Sequence, residues 1–161
     1  MTECQTEHVF IREVAPKGKG VFAARNFSRG ETVAIGRKVR VLPERTPHSI
    51  QMDFDLHVLI DEPAVLINHC CNPNTGVRKN QWGGYDFVAL VDIAISEEIT
   101  FDYETTETEF SARFQCNCGV PDCRKQLRGF FHLPVEVRKS YGEFVAGYLK
   151  PKRKYSTQTR S

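Results

Sequence analysis

Long apolar runs are missing from this sequence. No stretch approaches the roughly 18 consecutive apolar residues of a membrane-spanning helix, and residues 1–5 lack the apolar segment of a secretory signal. A large excess of one charge is missing as well, because the net charge of +2 is too small to indicate nucleic-acid binding. We therefore expect a soluble, intracellular protein, cytoplasmic or nuclear, without a membrane partner and without direct nucleic-acid binding beyond a short basic tail.

Internal repeats and linkers are also absent before Pro151. A chain of 161 residues is suited to one domain with one hydrophobic core. Its 40% hydrophobic and 26% charged residues are close to ordinary globular values. Residues 151–161 carry several basic and no acidic side chains, so we predict a disordered basic tail, with a basic docking segment as the alternative.

Helical periodicity is scarce, and short segments broken by Gly and Pro turns dominate instead. These segments predict strands over 9–14, 21–24, 32–35, 39–42, 85–93 and 99–103. From Ile50 to Ile60, apolar residues alternate with mostly polar ones, which predicts a long strand or a hairpin with one buried face. The predicted fold class is therefore mostly β.

The C-terminal segment is the exception. Pro134 suits the first position of a helix, and Pro151 would end it. Between them lies an apolar stripe at 3-to-4 spacing, formed by Val137, Tyr141, Phe144 and Tyr148. We predict a C-terminal helix over 132–150 that packs on the domain, with a partner-binding helix as the alternative.

Three of the six cysteines form a C-x-C-x4-C cluster: Cys116, Cys118 and Cys123. Thiols stay reduced in an intracellular chain, where such clusters typically bind metal. A structural zinc site needs four ligands in a tetrahedron, so a fourth must come from elsewhere. The segment that contains Cys70 and Cys71 is the obvious donor. We expect a zinc ion (Zn2+) that ties two distant stretches together, with free thiols as the alternative.

Four segments carry recognisable motifs. They are Lys-Gly-Lys-Gly-Val-Phe-Ala at 17–23, Leu-Ile-Asn-His-Cys-Cys-Asn-Pro-Asn at 66–74, Glu-Glu-Ile-Thr-Phe-Asp-Tyr at 97–103 and the cysteine cluster with its following arginine at 116–124. In this order they resemble the SET-domain family of protein lysine methyltransferases, including its post-SET zinc module. A lone Gly-x-Gly is weak evidence, whereas the other three motifs in order are highly specific.

The resemblance extends from about residue 8 to 131. It implies the SET-domain fold, in which short strands form several small sheets with a pseudoknot-like C-terminal crossing. The SET domain with its post-SET module would span 1–131, the post-SET part lying at about 114–131. The predicted helix and the basic tail would follow.

The activity that the resemblance implies is methyl transfer from S-adenosyl-L-methionine to a lysine side chain of a protein or peptide, such as a histone tail or a non-histone protein. The alternative is a catalytically impaired, zinc-stapled SET-like module that serves as an interaction surface. Ile35 and Cys70 favour that alternative, since the family has a tyrosine and a serine there. Ile35 would make the target-lysine channel less polar.

The resemblance also assigns roles to residues. Contacts to the cofactor are implied for Lys17, Gly18, Lys19, Gly20, Asn68, His69, Tyr103 and Phe130, and zinc binding for Cys71, Cys116, Cys118 and Cys123. Alternatives are a satisfied buried histidine for His69 and an ordinary core residue for Phe130.

The implied catalytic residues are Tyr103 and Phe101. The hydroxyl of Tyr103 would orient the target amine. Phe101, expected on the same strand face as Tyr103, would occupy a Phe/Tyr switch position. A phenylalanine there implies di- or trimethylation.

Overall fold

The computed structural model describes residues 7–110 and 114–151. Short strands dominate these residues, and they form several small sheets, as the sequence pattern predicts. The strands are β1 (Val9–Val14), β2 (Gly18–Ala23), β3 (Thr32–Gly36), β4 (Lys38–Leu42), β5 (Ile50–Asp53), β6 (Leu56–Ile60), β7 (Asn68–His69), β8 (Thr75–Lys79), β9 (Tyr85–Ala89), β10 (Glu98–Phe101), β11 (Phe114–Gln115) and β12 (Gln126–Leu127). Within this part of the chain, no helix has the length and hydropathy to cross a membrane.

One sheet joins segments that are far apart in sequence. Its strand order is β1-β2-β10-β7. The β1–β2 hairpin is antiparallel, β10 pairs antiparallel with β2, and β7 pairs in parallel with β10. The parallel pair places Asn68 beside Thr100 and His69 beside Phe101.

Two further sheets have three antiparallel strands each, in the orders β3-β9-β8 and β4-β6-β5. The second contains the β5–β6 hairpin, which confirms the hairpin interpretation of the alternating segment. β11 and β12 form a small ribbon at the cysteine cluster. The buried core between these sheets includes Val21, Val58, Val77, Phe87 and Ile99.

The C-terminal helix is much shorter than predicted. α1 covers only Val135–Tyr141 and ends at Gly142, whose positive φ of +55° suits glycine. Pro134 precedes the helix in an extended conformation instead of occupying its first position. The prediction of one helix over 132–150 was therefore wrong, because the apolar stripe continues past a residue that terminates the helix.

The rest of that stripe still packs on the domain. A Cβ atom at Gly76 in β8 would lie 2.6 Å from the Cβ atom of Phe144, so the C-terminal segment sits directly on this strand. Tyr148 donates a hydrogen bond from its hydroxyl to the backbone oxygen of Thr106. The expected packing role is met by a turn and a 3-10 helix, Gly147–Leu149, beyond α1. The predicted basic tail, apart from Pro151, lies outside the described residues.

Gln51 departs from the alternating pattern, because it is fully buried although the pattern places it on the polar face. Its side-chain oxygen accepts hydrogen bonds from Arg45 Nη2 at 2.7 Å and from Thr108 N at 2.9 Å. Its side-chain nitrogen donates to the backbone oxygens of Asp53 and Phe54, each at 3.1 Å. The second face of the hairpin is thus covered by another chain segment, which a two-residue periodicity cannot reveal.

We predict that Gln51→Leu lowers the free energy of unfolding by at least about 2 kcal/mol, because the buried groups that Gln51 satisfies would lose their partners. Gln126→Leu is the matched control, since Gln126 is exposed and should change stability by no more than about 0.5 kcal/mol. Urea denaturation of both variants measures the difference. Equal stability of Gln51→Leu and wild type would contradict this role.

Candidate active site

Two cavities meet at Tyr103. The larger has a volume of about 630 Å³ and is lined by the loop between β1 and β2, by β7 and by the cysteine cluster. We call it the cleft. The smaller, about 200 Å³, is bordered by Phe101 and is called the Phe101 cavity. Both are bordered by Pro47, His48, Val65, Tyr103 and Phe114.

The cleft collects most of the residues predicted to contact a cofactor. Those that line it are Lys17, Gly18, Lys19, Asn68, His69 and Tyr103. Gly18 has a φ of +85° and open space where a Cβ atom would stand, so its backbone is accessible. Gly20 lies just behind, where a Cβ atom would be 2.8 Å from Glu98 Oε1 and 3.1 Å from Asn68 Nδ2. Glycine at position 20 therefore lets β2 approach these polar side chains.

The Asn68 amide is held in one orientation. Its Nδ2 donates to the backbone oxygen of Lys19 at 3.0 Å and to Glu98 Oε1 at 2.9 Å. Both amide hydrogens are used by these two bonds, so Oδ1 is the atom that remains to accept a hydrogen bond from a ligand. The amide thus presents an acceptor at the edge of the cleft.

His69 is a buried histidine with a partner at each ring nitrogen. Nδ1 accepts a hydrogen bond from the backbone N–H of Tyr103 at 3.1 Å, and Nε2 lies 3.3 Å from Cys71 Sγ. Burial lowers the pKa of His69 to about 3, and the Arg124 guanidinium contributes to the decrease. The ring is therefore neutral at physiological pH, with its proton on Nε2 because Nδ1 accepts. The side chain is thus a buried histidine whose ring nitrogens both have partners, as the alternative interpretation has it. It also borders the cleft.

Tyr103 does not lie on a strand. β10 ends at Phe101, and Tyr103 opens a 3-10 helix, Tyr103–Thr105, whose N-terminal cap is Asp102. The expectation that Phe101 and Tyr103 share a strand face was wrong in its geometry. Their rings nevertheless meet, with centroids 4.8 Å apart, because the turn carries Tyr103 back over Phe101.

The Tyr103 hydroxyl stays protonated. It donates a hydrogen bond to the backbone oxygen of Ile67 at 2.9 Å. Burial raises the pKa of this phenol, and the Glu98 and Glu107 carboxylates add to the rise. The group is thus a fixed dipole on a side chain that borders both cavities, with lone pairs that can accept a hydrogen bond, and is unsuited to act as a general base.

The Phe101 cavity is mainly apolar. Phe101 is buried and packs between Phe87, at 5.0 Å between ring centroids, and Tyr103. Aliphatic side chains complete the wall, among them Ile50, Ile60, Ala64 and Ile67. Polar groups border it at Thr46, Ser49 and Thr106 and at a buried pair, Arg45 and Glu107, whose Nε and Oε1 atoms are 3.6 Å apart. The mainly apolar lining suits a long aliphatic side chain.

Two predicted positions lie elsewhere. Phe130 is buried in the core and is absent from the residues that line the cleft, so the structure does not bring it to the other predicted cofactor residues. Its alternative role as an ordinary core residue fits its position. Ile35 pairs with Asp86 in the β3–β9 ladder and lines neither cavity, so it does not make the channel wall expected from the resemblance.

Phe114, and not Phe130, lies beside the residues expected to contact the cofactor. Its ring centroid is 5.9 Å from that of Tyr103 and 6.4 Å from that of His69, and it borders both cavities. The sequence signal was an aromatic residue just before the cysteine cluster, which the prediction overlooked in favour of Phe130. Arg45, His48 and Glu107 were also missed, because they come from segments without a recognisable motif.

The four cysteines predicted to bind metal do come together. Their Sγ atoms all lie within 4.8 Å of one another, and those of Cys71 and Cys116 are 3.8 Å apart. A tetrahedral zinc site with Zn–S bonds of about 2.3 Å has sulfur atoms about 3.8 Å apart. The cluster therefore has the donor atoms and spacing to hold a metal ion, and Cys71 is the fourth member of the group. Cys4 lies outside the described residues.

Comparison with known proteins identifies the class of this fold and site. The SET domain family profile matches residues 18–104, more than half of the 161-residue chain. The chain belongs to the SET-domain family.

Named relatives are histone-lysine N-methyltransferases. The H3 lysine-4 specific enzyme of Saccharomyces cerevisiae is 36% identical over 103 residues, 58% of this chain and 10% of that protein. Human histone-lysine N-methyltransferase 2B is 31% identical over 140 residues, 75% of this chain and 5% of that protein. The chain thus spans a tenth or less of the length of these two relatives.

A solved structure shares the fold. It is the crystal structure of KRYPTONITE in complex with mCHH DNA, H3(1-15) peptide and SAH, with a TM-score of 0.58 and 23% sequence identity. The match covers 74% of this chain and 29% of that chain.

Proposed function

We propose that this chain is an S-adenosyl-L-methionine-dependent protein lysine N-methyltransferase. The observation that carries the proposal is the meeting of two cavities at Tyr103, one a larger cleft lined in part by polar residues and the other mainly apolar. Methyl transfer to an amine is an in-line displacement, so it needs two ligands that enter separate sites and meet at one point. Membership of the SET-domain family supports the same reaction.

The cleft fits the cofactor in size, and polar residues contribute to its lining. Its volume of about 630 Å³ is within the range of roughly 300–1,000 Å³ for small-molecule sites. The residues that would hold the cofactor are Lys17, Gly18, Lys19, Gly20, Asn68, His69 and Tyr103. Asn68 Oδ1 is placed to accept from an ammonium group, and the exposed backbone at Gly18 can approach a ligand closely. When bound, S-adenosyl-L-methionine supplies an activated methyl group on a sulfonium sulfur.

The Phe101 cavity would hold the target lysine. A free lysine has a pKa of roughly 10.4, so at neutral pH it is almost wholly protonated. Transfer into an apolar channel favours the neutral amine, which is the nucleophile that the reaction needs. The oxygen of Tyr103 can accept a hydrogen bond from that amine while its hydroxyl hydrogen is donated to the backbone oxygen of Ile67. The enzyme's contribution is then desolvation and alignment.

We further propose that Cys71, Cys116, Cys118 and Cys123 hold one structural zinc ion. Four thiols with the spacing of a tetrahedron leave no open coordination position, which is typical of a structural site. His69 supports this site, since its Nε2–H points at Cys71 Sγ as a donor to a ligating sulfur.

The substrate class proposed is a protein or peptide with a target lysine, and histone H3 is the first candidate because the relatives are named for histone lysines. Labelled cofactor incubated with histone H3 and with a cell extract, followed by mass spectrometry, tests the proposal. Methylation of extract proteins but not of H3 would reassign the substrate, and no methylation in either sample would contradict the activity.

The inactive binding module receives little support from the two features that favoured it. Ile35 lies on the β3–β9 ladder away from both cavities. Cys70, at the position where the family usually has a serine, directs its thiol to the backbone oxygen of Asn72 at 3.5 Å. Neither residue removes a group that the proposed reaction uses.

For the metal, we expect one zinc per purified chain and its loss in Cys71→Ser, together with a lower melting temperature, because metal binding is coupled to folding. Cys70→Ser is the matched control and should retain zinc. Metal analysis and thermal denaturation of both variants measure this. Full zinc retention in Cys71→Ser would exclude the link between the two segments.

For catalysis, Tyr103→Phe removes one hydroxyl and keeps the ring, so cofactor binding should survive while kcat falls by about two orders of magnitude or more. Tyr148→Phe is the control, since its hydroxyl also donates to a backbone oxygen but it lines neither cavity. Calorimetry measures cofactor binding, and a methyl-transfer assay measures kcat. Undiminished turnover in Tyr103→Phe would remove the hydroxyl from the mechanism.

For product multiplicity, we expect wild type to form di- or trimethyl-lysine and Phe101→Tyr to shift the products towards monomethyl-lysine. A hydroxyl in the Phe101 cavity would hold water or the amine by a hydrogen bond worth roughly 0.5–1.5 kcal/mol and would crowd higher methylation states. Phe110→Tyr is the control, because it adds the same hydroxyl group at another position in the wall of this cavity, beside Phe114. Mass spectrometry of a methylated peptide decides the matter; a wild-type enzyme that stops at one methyl group would refute the expectation.

A further inference from the structure

Arg124 lies between the cysteine cluster and the turn that carries Tyr103. It follows Cys123 directly in the sequence. Its guanidinium group binds the two residues that flank Tyr103, with Nη2 at 2.7 Å from both carboxylate oxygens of Asp102 and Nε at 2.9 Å from Glu104 Oε1. One planar cation therefore holds both neighbours of Tyr103 at once.

These ion pairs are shielded from water. The side chains of Asp102, Glu104 and Arg124 are 0%, 3% and 16% exposed. Charge-assisted bonds of this kind are short and directional, and the fork of an arginine suits two carboxylates better than an ammonium group can. The arrangement consequently defines the position of the turn more strictly than its backbone bonds alone.

The remaining bonds of the two carboxylates tie the same turn to other elements. Asp102 also accepts from the Tyr141 hydroxyl of α1 at 2.7 Å, and Glu104 Oε2 accepts from the backbone N–H groups of Arg128 and Gly129 at 3.0 and 2.8 Å. Loss of Arg124 would therefore leave each carboxylate with other partners. Because removal of the positive charge would also destabilise the fold, a substitution that keeps the charge isolates the restraint on the turn.

Arg124 also contacts Cys71 of the cysteine cluster. The backbone N–H of Arg124 points at Cys71 Sγ, at 3.5 Å, and Nη1 is 3.4 Å from the Cys71 backbone oxygen. Arg124 is thus fixed by cysteines on both sides, covalently by Cys123 and through these contacts by Cys71. The place of its guanidinium depends on an assembled cluster.

We propose that Arg124 is a positioning residue that couples the cysteine cluster to the Tyr103 hydroxyl. The cluster fixes Arg124, Arg124 fixes Asp102 and Glu104, and the turn between them sets where the hydroxyl stands between the two cavities. This inference rests on the proposed methyl transfer. Of the residues expected to hold the cofactor, those at 17–20 and Asn68 are outside the network, whereas His69 and Tyr103 adjoin it. Turnover should therefore respond more strongly than cofactor binding to its loss.

Arg124→Lys tests the coupling, because it keeps the charge but cannot hold both carboxylates in the same geometry. We expect unchanged zinc content, a cofactor Kd within about twofold of wild type, and a kcat lower by about 10- to 100-fold from displacement of Tyr103. Arg128→Lys is the matched control, because it makes the same exchange at an exposed side chain four residues further along the chain. It should leave zinc content, cofactor Kd and kcat unchanged. A kcat that falls only in proportion to the folded fraction would overturn the proposal.

A second readout does not depend on activity. Fluorine NMR of protein labelled with 3-fluorotyrosine, assigned through Tyr103→Phe, reports on Tyr103 directly. Its resonance should shift or broaden in Arg124→Lys and after removal of zinc by a chelator, while that of Tyr85 in β9 stays in place. An unchanged Tyr103 resonance in Arg124→Lys would overturn the coupling. If wild type transfers no methyl group, the proposed function fails, and this spectrum alone decides the role of Arg124.

Discussion

The parallel pairing of β7 with β10 is the interaction on which the rest of the site depends. Two residue pairs, Asn68 with Thr100 and His69 with Phe101, set its register. Successive side chains of a strand point to opposite faces, so this register sends the Asn68 amide to the cleft and the His69 ring to the interior. A slip of one residue would exchange the two faces and separate the glycine loop, the tyrosine and the cysteines that the site brings together.

Buried charge is the second constraint. An isolated carboxylate inside a protein is costly, and here two carboxylates on one turn, Asp102 and Glu104, are almost free of water contact. Burial raises the pKa of Asp102, and the adjacent Arg124 opposes that rise. A buried pair of this kind adds little net stability against an apolar replacement, but removal of one partner is strongly destabilising. Such a network defines one geometry more than it strengthens the fold.

The sequence predicted what is local and chemical, and it failed where tertiary contacts decide. Cysteine spacing and the glycine, Asn-His and Phe-Asp-Tyr motifs identified many residues of the cleft, whereas most of the lining of the Phe101 cavity comes from segments without a motif. The alternation that includes Gln51 did not reveal a second covered face, and the apolar stripe of the C-terminal segment did not reveal that Gly142 ends the helix. Between Phe114 and Phe130, only the fold shows which ring borders the cleft, because both lie in an equally aromatic, cysteine-rich stretch.

The distance in sequence between Cys71 and Cys116, 45 residues, has a consequence for how the chain folds. The entropic cost of closing a loop grows with its length. Contacts between remote segments form slowly because the chain loses this entropy before the contacts can stabilise it. Three thiols of the cluster are neighbours in sequence, whereas the fourth arrives only with β7, which needs β10 in place. The four ligands of a metal ion would therefore come together only at the end of folding. The metal content would then measure the fraction of completely folded chains.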